Sequence, residues 1–374
     1  MSSLERKFLP NSLLSGWKRH PNGCITQGWL PSSEGERQFS NAGLARAREY
    51  SRRRQRSQRL FMSFKFKRKE SVTKGIRRIS TERLDTALEN FGRANRSEAV
   101  HSVRKDIKKL RALLRLARPH VAKRFYRKSA KKLRKAAHRL ASARDAHVTG
   151  KALDDLVEHF EDRLAPKPFP RLRNALHRES RQETRKLGKG SSLEDAKRRL
   201  RQLRRRLKGL ELDANEWKAL APGIESNYRR GRKALKIARR DPTPENFHEW
   251  RKRTKDLWYQ FRLLCPVWPP SIGIIADQLK SLSDYLGDDH DLFLLNQALA
   301  KHGSRDEGIW KEAEALAGLI DLRQRELRAA ALALGTRLYA EKPSRFNKRL
   351  GAYWQIWRNE AVAAQDPEQL ALAT

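Results

Sequence analysis

The chain has 374 residues, with 83 Lys plus Arg against 43 Asp plus Glu, a formal net charge of +40. A charge this high repels itself in a compact state, which points to a dense anionic partner: nucleic acid, polyphosphate or an anionic membrane surface. Only Cys24 and Cys265 are present, excluding a disulfide framework and a Cys-based zinc site and fitting a reducing, cytoplasmic setting. No run of 18 apolar residues suits a membrane span, and no apolar segment near Met1 suits a secretory signal.

Residues 1–61 are rich in Gly, Pro, Ser and Asn early and then in Arg, as in Ser51-Arg52-Arg53-Arg54-Gln55-Arg56, and carry +8 of the charge. Their poor hydrophobic periodicity predicts a disordered basic leader. Met62, the only methionine besides Met1, stands just ahead of the first periodic segment and is a candidate start.

From Ser71 onward the pattern is helical. Val72, Ile76, Ile79, Leu84, Leu88 and Phe91 approximate one stripe. Val100, Val103, Ile107, Leu110 and Leu114 repeat at alternating steps of three and four, a helix that should end before Pro119. Leu133–Leu140 and Val148–Phe160 mark two more helices, after which Pro166, Pro168 and Pro170 break the pattern. Beyond the flexible stretch 188–191, Leu193, Ala196, Leu200, Leu203, Leu207 and Leu210 mark another helix. No β-alternation follows the short Phe64–Phe66 stretch.

The most informative feature is an internal repeat. His101-Ser102-Val103-Arg104-Lys105-Asp106-Ile107-Lys108 matches His248-Glu249-Trp250-Arg251-Lys252-Arg253-Thr254-Lys255 as H-x-x-R-K-x-x-K, at an offset of 147. Leu140–Asp145 matches Leu286–Asp291 at an offset of 146. Two matches at nearly one offset predict a duplicated helical unit. The expected fold is all-α: two duplicated bundles of about four helices each, packed with pseudo-twofold symmetry. Residues 62–212 form the first repeat, 213–362 the second, and 363–374 a flexible tail.

On a helix, His101, Arg104, Lys105 and Lys108 share one face, as do His248, Arg251, Lys252 and Lys255, with Tyr259 and Arg262 continuing the second stripe. Stacked like charges destabilise a helix unless an anion answers them, and Arg, Lys and His all donate to phosphate oxygens. Further basic faces comprise Arg127, Lys131, Arg134 and His138; Lys197, Arg201, Arg204 and Lys208; Arg229 and Arg232 beside Tyr228; and Arg345, Lys348 and Arg349. Asp145 and Asp291 occupy equivalent places and are read as N-terminal helix caps or as partners that fix basic rotamers. His101, His248, Asp145, His290 and Asp291 are a conceivable metal set, but none lies in a spacing such as H-E-x-x-H. No Gly-rich phosphate loop, nucleophile elbow or catalytic triad is recognisable.

The two H-x-x-R-K-x-x-K helices, the Arg144-Asp145 and His290-Asp291 segments and the helical duplication resemble the CHAD domain family, the histidine-containing α-helical domain. The resemblance runs from about Met62 to Trp357 and is strongest at 228–232 and 247–259. It implies two packed helical bundles and a basic central surface that binds inorganic polyphosphate, with association at polyphosphate granules. The motif positions carry over to His101, Arg104, Lys105, Lys108, His248, Arg251, Lys252 and Lys255. It brings no catalytic activity and no cofactor, since this chain has no pattern for the β-stranded triphosphate-processing domain that some members carry. The leader of 61 residues is its departure from the family.

Polyphosphate binding is therefore the leading function. A nucleic-acid-binding protein is the alternative, disfavoured by the shortage of aromatics among the motif cations. A metal-dependent phosphohydrolase comes last, for want of a base, a nucleophile and a metal cage. The sequence leaves the oligomeric state open.

Overall fold

The computed structural model describes residues 64–304 and 306–363. The leader 1–61, Met62 and all of the tail except Ala363 lie outside the described residues. Eleven α-helices form among the described residues, joined by short turns, and no strand is present there.

Helix boundaries follow local chemistry. α1 (Val72–Asn90) starts where the Ser71 side chain accepts from the Lys74 amide, and α2 (Arg96–Ala117) where Asn95 accepts from the Glu98 amide. α2 gives way to a 3₁₀ turn at Arg118–His120 because Pro119 cannot continue it. α3 (Lys123–Arg139) and α4 (Ala141–His159) are separated at Leu140. α5 (Pro170–Lys189) begins at the third proline of the break and is followed by α6 (Ser192–Leu207). α5 escapes periodicity because Leu172, Ala175 and Leu176 are nearly its whole buried face.

The second half runs α7 (Glu216–Arg240), α8 (Pro244–Leu264), α9 (Pro269–Gly303), α10 (Glu307–Leu338) and α11 (Pro343–Ala363). The offset of 147 that relates His101 to His248 also carries Arg96 and Ala117, the ends of α2, to within one residue of the ends of α8. The halves diverge elsewhere. The counterpart of α3 and α4 is the unbroken 35-residue α9, and residues 62–212 hold six helices where 213–362 hold five. Both numbers exceed the four expected per repeat.

Apolar burial is not divided at the repeat boundary. The larger core joins α1, α2, α3 and α6 to α7, α8, the first half of α9, the end of α10 and α11. A smaller core joins α4 and α5 to the second half of α9 and the first half of α10. Both cores draw on both halves of the sequence, so the halves fold against each other and not as separate bundles. The expected stripes are the faces that pack: Val100, Val103, Ile107, Leu110 and Leu114 on α2 are all buried. Phe64 and Phe66 are buried too, and the Phe66 amide donates to the Leu263 carbonyl at 3.1 Å, an anchor and not a strand.

Two contacts bring helices of opposite halves to close range. α7 meets α2 backbone to backbone at Gly223, where a Cβ would run into the Leu116 carbonyl. α2 and α8 lie side by side and are tied by Arg115, whose Nη1 donates to the Asp256 carboxylate at 2.5 Å.

Leu110→Ala should cost about 2–5 kcal/mol, because Leu110 is fully buried in the larger core; urea unfolding checks this, and an unchanged midpoint would count against the assigned stripe. Gly223→Ala should destabilise by about 1–3 kcal/mol, the usual cost of overpacking, although alanine is the better helix former.

Candidate polyanion groove

The packing of α2 on α8 turns their repeated motif faces toward one groove of about 390 Å³. α2 contributes Arg104, Lys108, Arg111 and Arg115, and α8 contributes His248, Arg251, Lys252, Lys255, Asp256 and Tyr259. Arg144 and Asp145 enter from α4, and His290 and Leu294 from α9. Eight cationic side chains thus face two carboxylates. Asp256 is committed to Arg115, and Asp145 accepts from Arg144 Nη1 at 3.1 Å.

The cations of the two motifs crowd one another. Burial pushes the Lys108 ammonium well below the usual lysine range, and repulsion from Arg251, Arg144, Lys255 and Arg104 adds to it. Lys255 is lowered to about 8, first by burial and then by Arg251. Burial also lowers Arg104 and Arg251. Two guanidinium nitrogens, Arg104 Nε and Arg251 Nε, are buried without a hydrogen-bond partner. Arg104 Nη1 donates to the Ala137 carbonyl at 2.8 Å, which leaves the rest of its fork uncommitted to protein. Gly287 makes room for Arg251: a Cβ there would lie 3.4 Å from Arg251 Nε. Desolvated, unpartnered cations are costly, and an anion in the groove offsets that cost.

The two motif histidines are held neutral. Burial lowers His248 to about 3, with His290, Lys252, Arg251 and Arg144 contributing, and lowers His101 to about 4, with Lys105 and Lys108 contributing. The His248 ring stacks on His290 at 4.0 Å between centroids, and its Nδ1 is buried without a partner. Among the described residues no three His, Cys, Asp or Glu side chains converge as a metal site.

The remaining basic positions separate cleanly. His101 and Lys105 sit beside the groove, near enough for Lys105 to lower both His101 and Lys255. Lys131 and Arg134 line an adjoining cavity between α2 and α3. His138 is exposed on α3 and Arg201 on α6, and neither lines the groove. Arg229 and Arg232 are directed elsewhere: Arg229 pairs with Glu225, and Arg232 Nε donates to the Tyr339 carbonyl at 3.1 Å. Of the other basic faces, Arg204 is taken by Asp85, Lys197 by Glu194 and Arg349 by Glu341.

Periodicity missed Arg111 and Arg115, yet both continue the α2 stripe from Lys108 at steps of three and four. Arg144 stood in the repeated segment without an assigned role. Its Nη2 donates to Asp291 at 3.3 Å, linking α4 to α9 across the groove wall. Asp291 lies inside α9, far from its N-terminus, so the capping reading fails for it and the pairing reading holds. Asp145 lies in the second turn of α4 and also pairs with Arg144.

An imidazole at about 3 in the fold stays neutral while the unfolded chain, near 6.5, takes up a proton. His248 therefore costs stability progressively as pH falls below 6.5. Relative to His248→Gln, the wild type should lose melting temperature between pH 7 and pH 4, and saturating long-chain polyanion should reverse the loss. Parallel pH curves for the two proteins would show that His248 is not held neutral.

No curated protein matches this sequence. The model of one family, described as the CHAD domain, matches residues 78–300, a span that contains both motif helices and the whole groove lining. With more than half of its length so matched, the chain belongs to the CHAD domain family.

Proposed function

We propose that this protein binds inorganic polyphosphate in the groove between α2 and α8. The observation that carries the reading is the set of half-buried cations with uncommitted donors, above all Arg251, whose buried Nε has no partner. A polyphosphate strand is a run of anionic oxygens without bases, so a lining of guanidinium and ammonium groups suffices for it. Membership of a family associated with polyphosphate binding supports the same reading. The nucleic-acid alternative would need bases to stack on exposed rings. Tyr259, the one Phe, Tyr or Trp in the lining, is buried.

On this reading the role is binding and not turnover: the guanidinium and ammonium groups of the lining donate to anionic oxygen. By the same reading the protein resides in the cytoplasm and associates with polyphosphate granules. No described helix is long and apolar enough to cross a membrane.

Competition at near-physiological salt should favour long-chain polyphosphate over duplex DNA and single-stranded RNA of equal phosphate content. Equal binding to all three would reduce the protein to a general cationic surface and raise the nucleic-acid reading. Arg104→Glu with Arg251→Glu should weaken polyphosphate binding by more than about tenfold while leaving helicity intact. Affinity should also fall as pH rises through about 8, where Lys255 loses its proton.

A further inference from the structure

The groove does not end at its own walls. Arg111 and Arg115 on α2 also line a second cavity, of about 530 Å³, between α2 and α3. Its far side carries Arg127, Lys131 and Arg134, one exposed face of α3, and its floor includes Leu114 and Leu133. Arg127, Lys131 and Arg134 have no ion pair among the described residues, in contrast to Arg204 and Lys197 on the neighbouring α6. Nor does α3 supply any carboxylate, for its sequence from Lys123 to Arg139 contains no Asp or Glu. The apolar floor keeps water from the inner side of these cations, which strengthens their field.

The two cavities meet at Arg111. Its guanidinium is lowered by burial and then by Arg115, and it has no hydrogen bond or ion pair among the described residues. Arg115 is already committed to Asp256, which makes Arg111 the free cation at the junction.

Resting on the polyphosphate reading, we infer that one polyanion strand runs continuously from the α2–α8 groove past Arg111 and into the α2–α3 cavity, so the protein selects long chains over short ones. A short anion is satisfied by the groove alone. A strand long enough to pass Arg111 gains the α3 cations as well, and with them the release of further counterions. Chain-length preference is thus a consequence of two cavities sharing a wall.

The test uses the full chain with tripolyphosphate and long-chain polyphosphate as probes, titrated over a range of salt. Arg127→Glu with Lys131→Glu should reduce long-chain affinity by about tenfold or more and flatten its salt slope by about 1.4, since each of the two lost contacts is worth roughly 0.7. Tripolyphosphate affinity should stay within about twofold. Lys233→Glu with Lys236→Glu, an equal charge change at exposed positions of α7 outside both cavities, should leave both affinities near wild type.

Unchanged long-chain binding in the α3 variant would overturn the inference. So would an equal loss for both probes, or an equal loss in the α7 variant, since either would mean that α3 acts only through net charge. If the wild type binds tripolyphosphate and long chains alike, the path fails while the polyphosphate reading stands. If it binds neither, both fail. A melting temperature matched to wild type excludes misfolding, as Arg127 and Lys131 make no ion pair among the described residues.

Discussion

The repulsion between α2 and α8 is the constraint around which the rest of this fold is arranged. Lys108 on one helix faces Arg251 and Lys255 on the other; burial lowers all three, Arg251 and Lys255 lower Lys108 further, and Arg251 lowers Lys255. Two helices with such faces would separate if charge alone decided. They stay together because each turns an apolar side into the common core, Val103, Ile107 and Leu110 from α2 and Trp250, Leu257 and Phe261 from α8. Burial of large side chains at about 1.5–3 kcal/mol each outweighs the repulsion of partly solvated charges at an effective dielectric near 20. The Arg115–Asp256 pair adds a local tie at one end of the seam.

The division of the cores follows from the same need. If each half closed its own bundle, the motif faces would have no structural reason to meet. Instead α9 and α10 run through both cores, and α4 and α5 of the first half pack on them. Arg144 stands where α4 meets α9, bonded to Asp145 on its own helix and to Asp291 on the other. The reverse side of α2 is secured differently, by a buried cluster in which Asp106 holds Lys109 at 3.1 Å and Arg83 at 3.6 Å. Such a cluster adds little net stability but penalises any rotation of α2 that would leave Asp106 buried and alone. α2 is therefore fixed in rotation, and its cationic stripe can face only the groove.

Much of this was legible in the sequence, for reasons that can be given residue by residue. The α2 stripe from Val100 to Leu114 was readable because a helix on a core must repeat its apolar positions at 3.6, and every member proves buried. The motif cations were readable because the same spacing occurs twice, and Arg104, Lys108, Arg251, Lys252 and Lys255 do converge. α5 was not readable: with so few apolar residues it is helical because α9 and α10 offer a surface, which is tertiary context. Arg229 and Arg232 were misplaced because charge on a helix does not reveal which side faces which neighbour; α7 turns them toward Glu225 and the end of α10. Arg144 was undervalued because its partner Asp291 is 147 residues away.

Net charge by itself says little about where a polyanion would sit, and the distribution of carboxylates says more. Asp195 gathers Arg139, Arg198 and Arg199, Asp85 takes Arg204, and Glu70 and Glu82 hold Arg78. Glu216 binds Arg358 and so ties the last helix to the start of α7. These acids neutralise arginines whose work is architectural. Along α3 and in the α2–α8 groove the acids are few, and the two that line the groove are already bonded to Arg115 and Arg144. A uniform excess of charge would bind any polyanion weakly over the whole surface. An excess confined to two adjoining cavities, with backbone and apolar packing holding its members at fixed positions, favours a ligand that can place many anionic oxygens along one line.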